Sequence, residues 1–255
     1  MPISKNKIKF IHSLEQKKGR RQEGLFVAEG FKAVGDLIAA GHKPTLIVAT
    51  SEWLASHSVP DRCELCEVTE EELRKVSFLQ HPQQVLATFP IPQSDALPSA
   101  EQLGQKLYLA LDGVQDPGNL GTIIRIADWF GIDTILCSRE TADAFAPKVV
   151  QATMGSIARV KVIYTDLLPL LESLSKDVPV YGTLLDGGNI YEAEIENRGI
   201  IVMGNEGNGI TPEVRRLVSH RLLIPSYPAD RPTAESLNVA IATSIVCAEF
   251  RRQLT

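Results

Sequence analysis

The sequence predicts an α/β protein of two parts: a small α/β domain over residues 1–92, a linker at 93–105, and a larger domain built on a parallel sheet over 106–255. Three observations carry this. The 255 residues reach the size, roughly 250, at which single cores stop growing. Apolar strand-like runs at 107–111, 134–137, 160–164, 178–185, 200–203 and 222–224 are mostly separated by helix-length segments, as in a parallel sheet covered on both faces. The stretch PIPQSDALPSAEQLGQ ahead of them carries three prolines and little periodicity, which marks a boundary.

With 44% hydrophobic and 22% charged residues the composition is that of an ordinary globular chain, and disorder, collagen-like repeats and a disulfide scaffold are excluded. No uncharged apolar stretch approaches the roughly 18 residues of a membrane span, and MPISKNKIKF lacks the apolar core of a signal peptide. A cytoplasmic protein with no membrane partner is expected. Cys63, Cys66, Cys137 and Cys247 are too few and scattered for a disulfide framework, which agrees with a reducing compartment.

Within 1–92, Ile8, Ile11 and Leu14 recur at helical spacing among lysines, predicting a basic amphipathic helix that Gly19 ends. Arg20 to Gly24 reads as a charged turn, 25–28 as a strand, Phe31, Val34, Leu37 and Ile38 as a helix closed by Gly41, and 46–49 as a strand. Glu70, Glu71 and Glu72 follow Thr69 as a capped helix start, where negative charge suits the helix dipole. Cys63 and Cys66 lack a second ligand pair, so that segment reads as strand and no metal is assigned.

The net charge of −5 hides an uneven distribution: residues 1–50 hold nine Lys/Arg against four Asp/Glu, and the remainder is acidic. A polyanion would therefore be met by the N-terminus, through Lys17, Lys18, Arg20 and Arg21, because phosphate attraction is local once salt screens beyond about 8–10 Å. A solvated helix face is the plainer alternative.

Ligands of open parallel sheets bind beyond the carboxyl ends of strands, and three loops there stand out. The first runs from Asp112 to Gly121 and leads into a helix from Thr122 to Phe130 carrying Arg125. The second, Gly204-Asn205-Glu206-Gly207-Asn208-Gly209, has glycines that let a backbone approach a ligand and present N–H groups, or simply make a tight turn. The third leads from Ile224-Pro225 to Ser236-Leu237-Asn238, where Ser236 is the expected N-cap of a last helix over 236–252. That helix is apolar on more than one face, as suits either a dimer interface or burial within the monomer. Phosphate fingerprints are missing: there is no GxxxxGK[ST], and GNEGNG departs from GxGxxG at its third position.

Taken in order, Asn119-Leu-Gly-Thr-Ile-Ile-Arg125, Gly204-Asn-Glu206-Gly207-Asn-Gly209 and Ser236-Leu-Asn238-Val resemble the three motifs of the SpoU/TrmH-type RNA 2′-O-ribose methyltransferases of the SPOUT class. The segment Arg20 to Gly30 resembles the start of the N-terminal substrate-binding domain, similar to ribosomal protein L30e, of many members. The resemblance implies a C-terminal trefoil knot, S-adenosylmethionine as cofactor, a homodimer through the C-terminal domain, and RNA as substrate, ribosomal in preference to transfer RNA. It implies a catalytic set of Asn119, Arg125, Glu206, Ser236 and Asn238, and cofactor contacts at Gly204, Glu206, Gly207, Ile224, Leu237, Thr183 and Leu184. The chain departs from the motif in having ten residues at 226–235, with Pro228 and Pro232, and in Ala240 where Ser is customary. A non-catalytic RNA-binding module retaining the fold is the second reading, and a nucleotide-dependent enzyme acting on a small molecule the third.

Overall fold

The computed structural model describes residues 3–92, 96–228 and 234–254. Its elements are α1 (Lys5–Ser13), α2 (Lys17–Glu23), β1 (Leu25–Glu29), α3 (Phe31–Ala39), β2 (Leu46–Ala49), α4 (Ser51–Ser56), β3 (Glu64–Glu67), α5 (Glu70–Arg74), β4 (Val85–Pro90), α6 (Ala100–Leu103), β5 (Leu107–Asp112), α7 (Pro117–Trp129), β6 (Thr134–Cys137), α8 (Pro147–Ala152), β7 (Lys161–Tyr164), α9 (Leu167–Glu172), β8 (Val180–Asn189), β9 (Gly199–Gly204), α10 (Pro212–Arg215), β10 (His220–Leu223) and α11 (Val239–Arg252). They form two units, Met1–Gln93 with Asp143–Arg159, and Ser94–Ala142 with Val160–Thr255. Residues 93–95 of the expected linker, and 229–233 of the 226–235 loop, lie outside the described residues.

The first unit has a four-stranded sheet ordered β1-β4-β2-β3, with β4 antiparallel to β1 and β2, and β2 parallel to β3. Ile11 and Leu14 pack with Val27, Val48, Leu73 and Leu86 in its core, each fully buried aliphatic side chain contributing about 1.5–3 kcal/mol. Cys66 lies in β3, and Thr69 and Glu72 form a capping box on α5, as their order suggests. The chain returns to this unit at Asp143–Arg159, where Phe145 packs on Phe26 with ring centroids 5.1 Å apart and Arg159 pairs with Asp36 at 3.2 Å.

Two expectations fail near the N-terminus. Gly19 ends no helix; it lies inside α2, and a Cβ there would collide with the Ser13 carbonyl oxygen, so glycine permits the close return of α2 onto the end of α1. Arg20 to Glu23 are accordingly helical, not a turn, and Gly24 closes α2 in the left-handed conformation at φ +66°.

The second unit is a six-stranded, wholly parallel sheet ordered β10-β8-β9-β5-β6-β7. Side chains alternate across it. Tyr108, Ala110, Ile200 and Val202 face Leu167 and Leu171 of α9 and Val214 of α10. On the other face α7 packs against α11 and β6, and α11 against β9. All strands run the same way, so the loops after β5, β8, β9 and β10 leave from one edge of the sheet. Within the expected linker, Ser99 and Gln102 form a capping box on α6. The last helix begins at Val239, not 236, and α7 begins at Pro117, not 122. No helix among the described residues is long and apolar enough to cross a membrane.

Candidate active site

The loop after β5 turns at Gly113, whose φ of +77° suits glycine. Asp116 then caps α7, accepting from the Asn119 amide at 2.8 Å, and Pro117 occupies the first helical position, where a missing N–H costs nothing. Asn119 is thereby held in the first turn of α7, its side chain free to reach other loops.

The loop after β9 folds on itself. Asn205 and Gly209 exchange backbone hydrogen bonds of 2.9 and 3.0 Å, and a Cβ on Gly204 would collide with the Gly209–Ile210 backbone. Asn205 Oδ1 accepts from the amides of Gly207 and Asn208, at 2.9 and 3.0 Å. The expectation of a loop presenting free N–H groups is thus corrected: those of Asn205, Gly207, Asn208 and Gly209 are satisfied inside the turn, and Gly204 is glycine for the chain's own close approach.

The three loops meet in one hydrogen-bonded chain. Glu206 Oε1 accepts from Asn119 Nδ2 at 3.0 Å and the Asp116 amide at 3.1 Å, while Oε2 accepts from the Gln115 amide at 3.2 Å. Asn119 Oδ1 accepts from Asn238 Nδ2 at 2.9 Å. Asn238 Oδ1 in turn caps α11, accepting from Ala240 and Ile241 amides at 3.0 and 3.2 Å. The polarity of the chain is fixed by its ends, because an ionised carboxylate only accepts and helix-terminal amides only donate. Burial pushes the Glu206 carboxyl up, but the bonds from the Asn119 side chain and from the Glu206, Asp116 and Gln115 amides outweigh it and hold it below the usual carboxylate range.

Of the expected catalytic set, the structure therefore joins Asn119, Glu206 and Asn238. Ser236 is exposed and is not the cap of α11; Asn238 takes that place. Arg125 is exposed on the face of α7 shared with Thr122 and Trp129, and has no hydrogen-bond or ion-pair partner among the described residues. Gly204 and Gly207 lie at the carboxyl end of β9, and Ile224 follows β10, half-buried. Thr183 lies in β8, its hydroxyl 3.5 Å from the Val202 carbonyl oxygen, and Leu237 is half exposed. The Leu184 side chain is buried in the core, which leaves only its backbone for a ligand. Asn205 was not anticipated; besides closing its own turn it donates to the Gly113 carbonyl at 2.7 Å and so ties the first loop to the second. Its signal was present in Asn205-Glu206-Gly207, a pattern typical of turns closed by an asparagine side chain.

Of the expected RNA-binding residues, Lys17, Lys18 and Arg21 are exposed. Arg20 is not available: it is 2% exposed, pairs with Asp143 at 2.7 Å, and donates to the carbonyls of Leu14 and Glu15 at 2.9 and 2.6 Å. Its guanidinium is an interior tie, because α2 turns that face onto α1 and the returning segment. Among the described residues no group of three or more His, Cys, Asp or Glu is placed to hold a metal ion.

Residues 5–87 match the MRM3-like substrate binding domain. The chain is 30% identical to the 23S rRNA (guanosine(2553)-2′-O)-methyltransferase RlmP of Bacillus subtilis, over 96% of each protein. Among solved structures it is similar to a TrmH-family protein of Porphyromonas gingivalis, at 40% identity and TM-score 0.89, covering 99% of this chain and all of that one. It is also similar to an AdoMet-bound rRNA methyltransferase of Sinorhizobium meliloti, at 33% identity and TM-score 0.85, covering 98% and 96%. Residues 106–248, which contain all three loops, match the SpoU rRNA Methylase family, and the chain belongs to that family.

Proposed function

We propose that this protein methylates the ribose 2′-hydroxyl of a nucleotide in ribosomal RNA, with S-adenosylmethionine as donor, acting in the cytoplasm as a homodimer. The observation that carries the reading is the Glu206–Asn119–Asn238 chain, which brings three distant motif loops to one edge of the sheet. The named activities of the Bacillus and Sinorhizobium relatives favour ribosomal over transfer RNA. In this reading 1–92 engages RNA, 106–255 carries the chemistry, and the C-terminal segment forms the trefoil knot that the motifs imply.

The site fits a sulfonium nucleoside. Parallel strands ending together offer carbonyl acceptors, Glu206 stays ionised beside them, and Leu237 is an exposed apolar side chain for an adenine face. Gly204, Glu206, Gly207, Ile224, Leu237, Thr183 and the Leu184 backbone would hold the cofactor. When bound, it supplies a methyl group activated by positive sulfur. The chain's own work is alignment and charge. Holding oxygen, carbon and sulfur in line is worth several kcal/mol, and the rigid loop chain provides that frame. Arg125, without a hydrogen-bond or ion-pair partner among the described residues, stabilises the oxygen as its proton leaves to a neighbouring phosphate or water; a guanidinium stays charged and does not itself take the proton. Ser236 adds an exposed hydroxyl beside the Asn238 cap.

Trp129 on α7 and Ile241 on α11 are 85% and 54% exposed, apolar surface suited to a second copy, as sedimentation would report. The direct test is Arg125→Ala, expected to lower ribose methylation by about 10²–10³-fold, as loss of one oxyanion donor does, while calorimetry shows retained S-adenosylmethionine binding. Methylation at the wild-type rate refutes the assigned role. A wild-type protein that binds RNA but no S-adenosylmethionine is instead a non-catalytic module.

A further inference from the structure

The first unit contains a cavity of about 780 Å³, none of whose lining residues belongs to α1 or α2. Phe31, at the start of α3, and Arg74, at the end of α5, line it together with Gln80, His81, Gln83 and Gln84 from the connection into β4. We propose that this cavity receives an unpaired nucleotide of the RNA, its base stacked on Phe31; the proposal rests on the RNA-substrate reading above.

Phe31 is 61% exposed, although phenylalanine is usually buried, and an exposed ring is a platform on which a splayed base stacks. Around it the side chains of Arg74, Gln80, His81, Gln83 and Gln84 have no hydrogen-bond partner among the described residues. Each glutamine offers donor and acceptor together, the combination that reads a base edge, and Arg74 supplies charge for a phosphate. Glu70, also on the rim, accepts from an exocyclic amine and disfavours a second phosphate. The volume lies within the roughly 300–1,000 Å³ of small-ligand sites and takes a base with its sugar.

The rim is built rather than loose. Glu29 accepts from the Phe78 amide at 2.8 Å, the Gln84 carbonyl accepts from Thr50 at 2.9 Å, and the Val85 carbonyl accepts from Gly30 at 2.9 Å. Gln84 is held at φ +37°, a left-handed backbone that costs a non-glycine residue energy, strain of the kind that collects at ligand sites. Gly30, at φ +88° and ψ 152°, holds a backbone that favours glycine, and the end of the Gln83 side chain lies against it.

The test uses the full chain with two probes, short single-stranded RNA and the four nucleoside monophosphates. Nucleotides should perturb Phe31 and Gln83 resonances, and Phe31→Ala should weaken single-stranded RNA by about tenfold, as loss of one stacked base does. The loss should be the same at low and high salt, since the ring carries no charge, and Phe31→Trp should restore affinity with fluorescence quenched by the base. Unchanged RNA affinity in a Phe31→Ala protein with a normal melting temperature would overturn the proposal, as would perturbation confined to Lys17, Lys18 and Arg21. S-adenosylmethionine binding is measured separately, so failure of the methyltransferase reading and failure of this site give different results.

Discussion

The motif loops of the second unit and the cavity rim of the first are made from the same kinds of side chain, amides and acids, and use them in opposite ways. In the loops, Asn119, Asn205, Glu206 and Asn238 spend their polar atoms on one another and on backbone. On the rim, Gln80, His81, Gln83 and Gln84 have no such partner among the described residues. A self-satisfied network is a frame that exists before the ligand arrives; an unsatisfied rim is a surface whose bonds the ligand completes. Adjacent arginines repeat the contrast, Arg20 buried in an ion pair and Arg21 exposed.

That pair supplies the largest expected effect. Arg20→Ala takes the ion-pair partner from the part-buried Asp143, which keeps the Phe145 amide, and the donor from the Leu14 and Glu15 carbonyls, and should cost about 3 kcal/mol, read as a lower midpoint of denaturant unfolding. Arg21→Ala should leave that midpoint in place and instead reduce the slope of RNA affinity against salt by about one phosphate contact. Equal effects from the two would erase the distinction.

A smaller effect separates the loops from the rim. Asn119→Leu removes a donor from Glu206 and an acceptor from Asn238, and should cost about 1 kcal/mol together with a large loss of methylation. Gln83→Leu, at a side chain with no hydrogen-bond partner among the described residues, should stay within about 0.5 kcal/mol of the parent. Thermal melting of both variants reads the difference. Asn119→Asp sharpens it further: a second carboxylate facing Glu206 should lower stability at neutral pH, with recovery as acid protonates one of the two.

How much of this was legible in the sequence follows from what each feature depends on. The parallel sheet was readable because buried strands are continuous apolar runs, and the convergence of three loops followed from their all leaving strand ends. α2 was hidden because seven residues rich in Lys and Arg, with a glycine third, carry no periodic apolar signal; Gly19 is set by the distant Ser13 carbonyl, not by local chain reversal. The cap of α11 was misplaced because Ser and Asn serve equally well at that position, and only the bond from Asn238 to Asn119 singles out the second. β4 escaped because VLATFP ends in proline beside the linker, a place where a strand at 85–90 looks like connection. The return of Asp143–Arg159 to the first unit depends on contacts with residues over a hundred positions away, which no local pattern announces.

The smallest expected effect tests whether the charge of Glu206, and not merely its shape, ties the loops. Its folded carboxyl lies below the ordinary value, so the folded state binds fewer protons than the unfolded chain through that interval. The stabilisation is therefore complete above the ordinary carboxylate value of about 4.3 and is lost as pH falls through the lower folded value. Glu206→Gln keeps the side-chain length and one acceptor while removing the charge. The melting temperature of the parent should exceed that of Glu206→Gln at neutral pH, and the gap should close as acid protonates the parent. Other acids of the chain titrate alike in both proteins and cancel in the difference. A gap of constant size from neutral to acid pH would mean that the amide donors of Gln115, Asp116 and Asn119 recognise an oxygen rather than an anion, and the loop chain would then rest on neutral hydrogen bonds.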